Sequence, residues 1–162
     1  MLGFLKRRKK RKRVREENRA AKHEVKPFSY HPKIILAWAK GIEGNSDLLD
    51  YLYKSGYEEL VMATHALRLK DEAREWLMKN GYPHLMAMIN GAEGNKDALK
   101  WLKVNNFNQL YNMAIAIDGH DEGFRWLNIN STQDIFVLTR SIKKLKDKIE
   151  EEHNDVHLRS RE

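Results

Sequence analysis

The chain contains no cysteine. A disulfide framework and a thiolate zinc site are therefore excluded, and with them the small stapled scaffolds of secreted proteins. Long apolar runs are missing too. No stretch of the 162 residues approaches the roughly 20 apolar residues that a membrane span requires. The apolar start, Met1 to Leu5, runs straight into cations in the manner of a signal peptide, but the apolar segment such a peptide needs does not follow, so secretion is not expected. Glycine stands at position 3 rather than 2, which does not indicate myristoylation. No Ser/His/Asp arrangement, paired-carboxylate site or phosphate-binding loop stands out, so the sequence suggests no reaction.

Apolar residues make up 41% of the chain, enough for one packed core. The net charge of +7 is unevenly placed. Residues 1–26 hold 12 Lys/Arg against 3 Glu, residues 27–139 hold 11 basic against 14 acidic residues, and residues 140–162 hold 7 against 6. The high isoelectric point belongs to the N-terminal arm, and the body that follows is mildly acidic.

A strict sequence period runs through that body without gaps. Tyr51, Trp76, Trp101 and Trp126 form one column, and Leu52, Leu77, Leu102 and Leu127 the next. Asp47, Glu72, Asp97 and Glu122 form an acidic column, where carboxylates meet the free N–H groups of a helix start. Gly56, Gly81 and Asn106 fall where that helix stops, since Gly and Asn enter the left-handed conformation cheaply. A second helix begins near Tyr57, Pro83 and Asn108 and carries the small residues Gly41, Ala66, Gly91 and Ala116, which let helices approach closely. A slower rhythm, twice as long, shows in Gly41-Ile42-Glu43-Gly44-Asn45 and Gly91-Ala92-Glu93-Gly94-Asn95, read as turn and cap chemistry.

Helices of about ten residues are marginal alone and must stack. The expected fold is all-α: a right-handed α-solenoid of four tandem 25-residue helix-turn-helix repeats with a longer C-terminal capping helix. The expected organisation is a basic arm over 1–26 (disordered or a surface helix), a linker over 27–32, a repeat domain over 33–135, and a capping helix with a charged tail over 136–162. Ile135, Leu138, Ile142, Leu145 and Ile149 predict one longer helix across 132–157. The expected core is Tyr51, Leu52, Trp76, Leu77, Trp101, Leu102, Trp126 and Leu127.

Two segments carry a family resemblance. Gly119-His120-Asp121-Glu122 through Trp126-Leu127 resembles the second helix of an ankyrin repeat, and Pro83-His84-Leu85-Met86-Ala87 is similar to the ankyrin first-helix signature. The resemblance covers about residues 57–130. An ankyrin unit has 33 residues, and the shortfall falls on its β-hairpin finger. The resemblance implies paired helices, and ankyrin-style binding through fingertips does not carry over.

Candidate chemistry is sparse. His153 and His157 stand four apart, a spacing that can hold a metal, but no third ligand is specified. His65 and His84 sit among apolar residues and read as structural. Asp118-Gly119-His120-Asp121-Glu122-Gly123 lacks the spacing of a calcium loop and aligns with an ordinary inter-helix turn. The expectation is no enzyme, no metal, no cofactor and no small-molecule substrate.

The arm is the strongest functional signal. Lys6, Arg7, Arg8, Lys9, Lys10, Arg11, Lys12 and Arg13 are eight consecutive cations, which repel one another unless a polyanion is near. Leu2, Phe4 and Leu5 precede them as an apolar tip that suits insertion into an anionic membrane surface. Nucleic acid, including ribosomal RNA, is the alternative polyanion. The reading is a cytoplasmic interaction scaffold, peripheral at the inner face of a membrane, that binds another protein through its repeat surface. A ribosome- or nucleic-acid-associated adaptor and a small enzyme with an unrecognised site are the alternatives, and the oligomeric state is left open.

Overall fold

The computed structural model describes residues 24–160. Nine helices occur among them: α1 (Pro32–Ile42), α2 (Ser46–Lys54), α3 (Glu58–Leu67), α4 (Asp71–Lys79), α5 (Pro83–Ala92), α6 (Lys96–Val104), α7 (Asn108–Ile117), α8 (Asp121–Asn130) and α9 (Gln133–Arg159). From α2 to α8 both kinds of helix restart at the interval of the sequence columns, at positions 46, 71, 96 and 121 and at positions 58, 83 and 108.

The turns explain the regularity. A left-handed residue follows every helix from α1 to α7: Gly44, Gly56, Leu69, Gly81, Gly94, Asn106 and Gly119 all have positive φ. The next residue closes the helix by donating its N–H to a carbonyl five positions back, as in Tyr82 to Leu77 at 2.9 Å and Phe107 to Leu102 at 2.8 Å. Helix starts are less uniform. Asn45 and Asn95 accept hydrogen bonds from the N–H groups of Leu48 and Ala98. Pro32 and Pro83 occupy first helical turns, where a missing N–H costs nothing. Pro32 thus belongs to α1 rather than to the linker.

Odd and even helices do different work. Eight of the ten residues of α5 are buried, whereas α2 and α6 each bury one residue, Leu52 and Leu102. The leucine column, Leu52, Leu77, Leu102 and Leu127, is wholly shielded from solvent. The aromatic column beside it is displaced by one residue, about 100° around the helix, and lands on the flank. Trp76, Trp101 and Trp126 are half-buried against the core. Trp76 stacks on Tyr82 and Trp101 on Phe107, at 6.0 and 5.8 Å between ring centres. Tyr51, expected in the core, is 52% exposed. The ring that would receive it, Tyr57, meets Tyr30 instead, at 6.1 Å.

The linker is packed down. Phe28 and Tyr30 lie against the core, the Tyr30 hydroxyl donates to Glu59 at 2.9 Å, and the Lys26 N–H donates to the Gly81 carbonyl at 2.9 Å. The N-terminal segment therefore spans the first two units.

The long helix α9 does more than cap the fourth unit. It packs on α7 and α8, and its most extensive contact is with α1 at the other end of the array. Each odd helix touches the next, and α9 touches the first. Ser141 of α9 donates to Glu43 at 2.7 Å, and Lys146 lies 3.7 Å from Glu93, which also pairs with Arg74 at 2.6 Å. The two glutamates of the slower rhythm, read as turn chemistry, are also the acceptors that hold α9. The Ser141 hydrogen bond, followed by that of Lys40, keeps the Glu43 carboxyl below its ordinary range. Beyond Ile149 the helix continues to Arg159, and residues 150–157 are exposed.

Candidate functional site

Two grooves recur one unit apart. The first lies between α2 and α3, has a volume of about 380 Å³, and is floored by Leu49, Val61 and Met62. Asp50, Glu58 and Tyr53 form its rim, with His65 at one side. The second lies between α4 and α5, has a volume of about 320 Å³, and is lined by Arg74, Glu75, Met78, Lys79, Met86 and Asn90. Five of those positions, all but Lys79, are the first groove's Leu49, Asp50, Tyr53, Val61 and His65 advanced by one unit. Each furrow lies between an even helix and the next odd helix, at positions that repeat with the sequence. Tyr53 and Met78, equivalent residues on the two rims, are each 56% exposed. In the third unit Lys103 takes that place and lies 4.5 Å over the ring of Tyr111, which stands where Val61 and Met86 do.

The grooves hold little that does chemistry. His65 Nδ1 is buried without a hydrogen-bond partner, and burial, then the nearby charges of Lys70 and Arg68, lower its pKa. No hydrogen bond joins it to Ser46, Asp50 or Glu58 among the described residues, so no acid–base relay is assembled. His84 lies elsewhere, fully enclosed. It stacks on Phe107 at 5.0 Å, faces Tyr82 at 6.0 Å, and has neither ring nitrogen bonded. Burial pushes its pKa down to about 4. Residues 118–120 form the turn between α7 and α8, with Gly119 in the left-handed region and His120 3.5 Å from Asp118, and residues 121–123 open α8. His153 and His157 are exposed on α9, and no group of three metal-capable side chains occurs among the described residues.

A third cavity, of about 260 Å³, lies where α9 crosses the ends of α1 and α3, lined by Ile42, Glu43, Arg68, Lys144, Lys148 and Glu152 among others. It is the seam of the closure rather than a furrow of the repeat.

The arm residues singled out above, Leu2, Phe4, Leu5 and Lys6 to Arg13, lie outside the described residues. No described helix is long and apolar enough to cross a membrane. The repeated grooves are hard to read from the sequence because each is built from two columns on two helices. Their signal is the 53/78 and 61/86 pairs taken together, Tyr/Met over Val/Met. Compared with known protein families, characterised proteins and solved structures, the chain matches none.

Proposed function

We propose that the array is a short right-handed solenoid, ankyrin-like in its helix pairs, that serves as a non-catalytic protein-interaction scaffold held at an anionic membrane by the polybasic arm. The supporting observation is the recurrence of an apolar-floored furrow at equivalent positions of α2/α3 and α4/α5, each with a large exposed side chain on its rim. Two adjacent furrows at one pitch suit a peptide partner that places successive side chains in both. Photo-crosslinking groups at Tyr53 and Met78 are expected to capture the same partner in the native host, and Tyr53→Ser with Met78→Ser to abolish its capture. Different partners at the two sites, or capture that survives the double substitution, would refute the docking role.

The arm is tested separately. Changing Leu2, Phe4 and Leu5 to Ser removes the insertion contribution, roughly 1.5–3 kcal/mol per fully buried large apolar side chain. Binding to anionic vesicles is expected to fall at least tenfold, with RNA binding little changed. Full vesicle affinity in the triple variant, or a preference of the intact protein for RNA over vesicles at physiological salt, would make the arm a nucleic-acid anchor. An inserted tip also leaves binding that resists salt, whereas pure phosphate contacts fade steeply with ionic strength.

A further inference from the structure

The even helices change chemistry half-way along the array. Asp50, Glu75, Lys100 and Arg125 occupy one exposed column, and Lys54, Lys79, Val104 and Ile129 stand one helical turn further on. In the first two units this spacing makes an ion pair, Lys54 to Asp50 at 3.3 Å and Lys79 to Glu75 at 3.4 Å. In the last two units the acid has become a cation and the lysine an aliphatic residue. Val104 is 70% exposed and Ile129 80%, more than any other large apolar residue described. Neither takes part in the core.

These side chains share an edge with the arm's point of departure. Val104 and Ile129 lie at the C-terminal ends of α6 and α8, and Gly81 follows the equivalent end of α4. Lys26 is hydrogen-bonded to Gly81, so the chain that carries the arm is joined to the body along that edge.

We propose that this edge, Val104 and Ile129 rimmed by Lys100, Lys103 and Arg125, is a second membrane contact that seats the body on the anionic bilayer to which the arm ties it. The inference rests on the membrane reading of the arm. Protruding aliphatics enter the region below the head groups while the cations around them face lipid phosphate. An RNA surface would reward the cations but gives nothing to exposed valine and isoleucine. Both contacts carry positive charge, and Lys26, near the start of the described residues, is bonded at that edge, so a single anionic surface suits both. Once the arm has bound, the edge meets the bilayer at high effective concentration, and weak contacts suffice.

The lack of native cysteine makes a direct test possible. In the full chain, Val104→Cys, Ile129→Cys and Lys96→Cys are made singly and labelled with a polarity-sensitive fluorophore. Position 96 is the exposed first residue of α6, at the opposite end of the same helix from position 104. Vesicles of phosphatidylcholine with phosphatidylserine are expected to shift the emission to the blue at 104 and 129 and leave it unchanged at 96. Val104→Ser with Ile129→Ser, at sites too exposed to disturb folding, is expected to weaken vesicle binding about fivefold or more and leave binding to an RNA homopolymer unchanged. Vesicle binding with all three labels still in water, or with equal shifts at 96 and 104, would overturn the edge while the arm's role stands. Failure of the intact protein to bind the vesicles at all would overturn both. Labels at 104 and 129 that respond to RNA and not to vesicles would make the edge a nucleic-acid surface and overturn the proposal.

Discussion

Gly41 and Gly91 each lie beneath a leucine, whereas the same place in the alternate units holds Ala66 and Ala116. A Cβ on Gly41 would come within 2.6 Å of Leu49 Cδ2, and one on Gly91 within 2.7 Å of Leu99 Cδ2. In the alternate units Arg74 and Phe124 stand where those leucines do, and Arg74 instead donates to the Ala66 carbonyl at 3.2 Å. The close approach in the fourth unit has moved to Gly123, whose added Cβ would lie 2.5 Å from the Asn112 carbonyl oxygen. The caps alternate with the same rhythm: Asn45 and Asn95 bond the following helix, while Lys70 and His120 do not. One pitch is therefore reached in two ways. A leucine over a glycine behind a side-chain cap alternates with an alanine contact behind an uncapped start. The true repeat is the pair of units, the slower rhythm of the sequence.

The largest expected effect is one that both kinds of unit share. Leu77→Ala and Leu102→Ala should each cost about 3 kcal/mol, since each removes a fully enclosed side chain and leaves a cavity. Urea denaturation measures both. Similar losses would show that the leucine column anchors the even helices whatever the local glycine or cap. A loss confined to one kind of unit would break the equivalence of the pairs.

The parts of the fold legible in the sequence are those that repetition writes several times over. The turns at Gly56, Gly81 and Asn106, the leucine column and the paired helices all follow from residues that recur. The closure of α9 on α1 is not legible, because Ser141–Glu43 and Lys146–Glu93 each occur once and join distant positions. Their acids are visible, but only as members of a turn motif. The sequence overstates the burial of the aromatic column because Tyr and Trp beside a leucine share its spacing but not its direction. The grooves and the basic edge are hidden for a further reason. Matching repeats seeks what stays constant, and the edge is defined by columns that change, Asp/Glu to Lys/Arg and Lys to Val/Ile.

A second comparison concerns the first turn of the odd helices, where Glu59, His84 and Gln109 are equivalent. Glu59 is bonded by Tyr30 and Gln109 by Ser131, but His84 has no partner. Its folded pKa of about 4 lies below the ordinary 6.5. Between those values the unfolded chain binds a proton that the folded chain does not, so stability falls as the pH drops from 6.5 towards 4. The loss is on the order of 3 kcal/mol and levels off below the folded pKa. His65 shifts in the same direction, so the difference between the wild type and His84→Phe isolates His84. The variant should show a shallower decline over this window in denaturation curves at a series of pH values. An unchanged slope would mean that the imidazole is hydrated in solution.

The alternation itself is tested at Gly91. Gly91→Ala should cost about 1–3 kcal/mol by forcing Leu99 out of its place. Adding Leu99→Ala removes the obstructing atoms, so the double variant should cost less than the sum of the two single changes. Additive losses would place the cost outside Leu99, at Ala114, whose Cβ would lie 3.2 Å from the added atom.

The smallest effect concerns the one odd-to-even turn that departs from its column. Gly44, Gly94 and Gly119 fill three of the four odd-to-even turns, and Leu69 fills the fourth with φ 67°. An L side chain in that conformation costs roughly 1–2 kcal/mol from the crowding of Cβ against the backbone. Leu69 is 46% exposed, so its packing offsets only part of this. Leu69→Gly removes the strain but widens the freedom of the unfolded chain, which takes back about 0.4–1 kcal/mol. The net expectation is a stabilisation of about 0.5 kcal/mol. Gly119→Ala is the converse at the equivalent turn: an added Cβ there meets nothing within 4 Å, so any loss comes from φ alone. It should cost about 1 kcal/mol. Thermal unfolding of both variants measures the two sides of one conformational term. If Leu69→Gly lowers stability while Gly119→Ala also lowers it, the packing of Leu69 outweighs its strain, and the second unit holds its turn by contact where the others hold it by glycine.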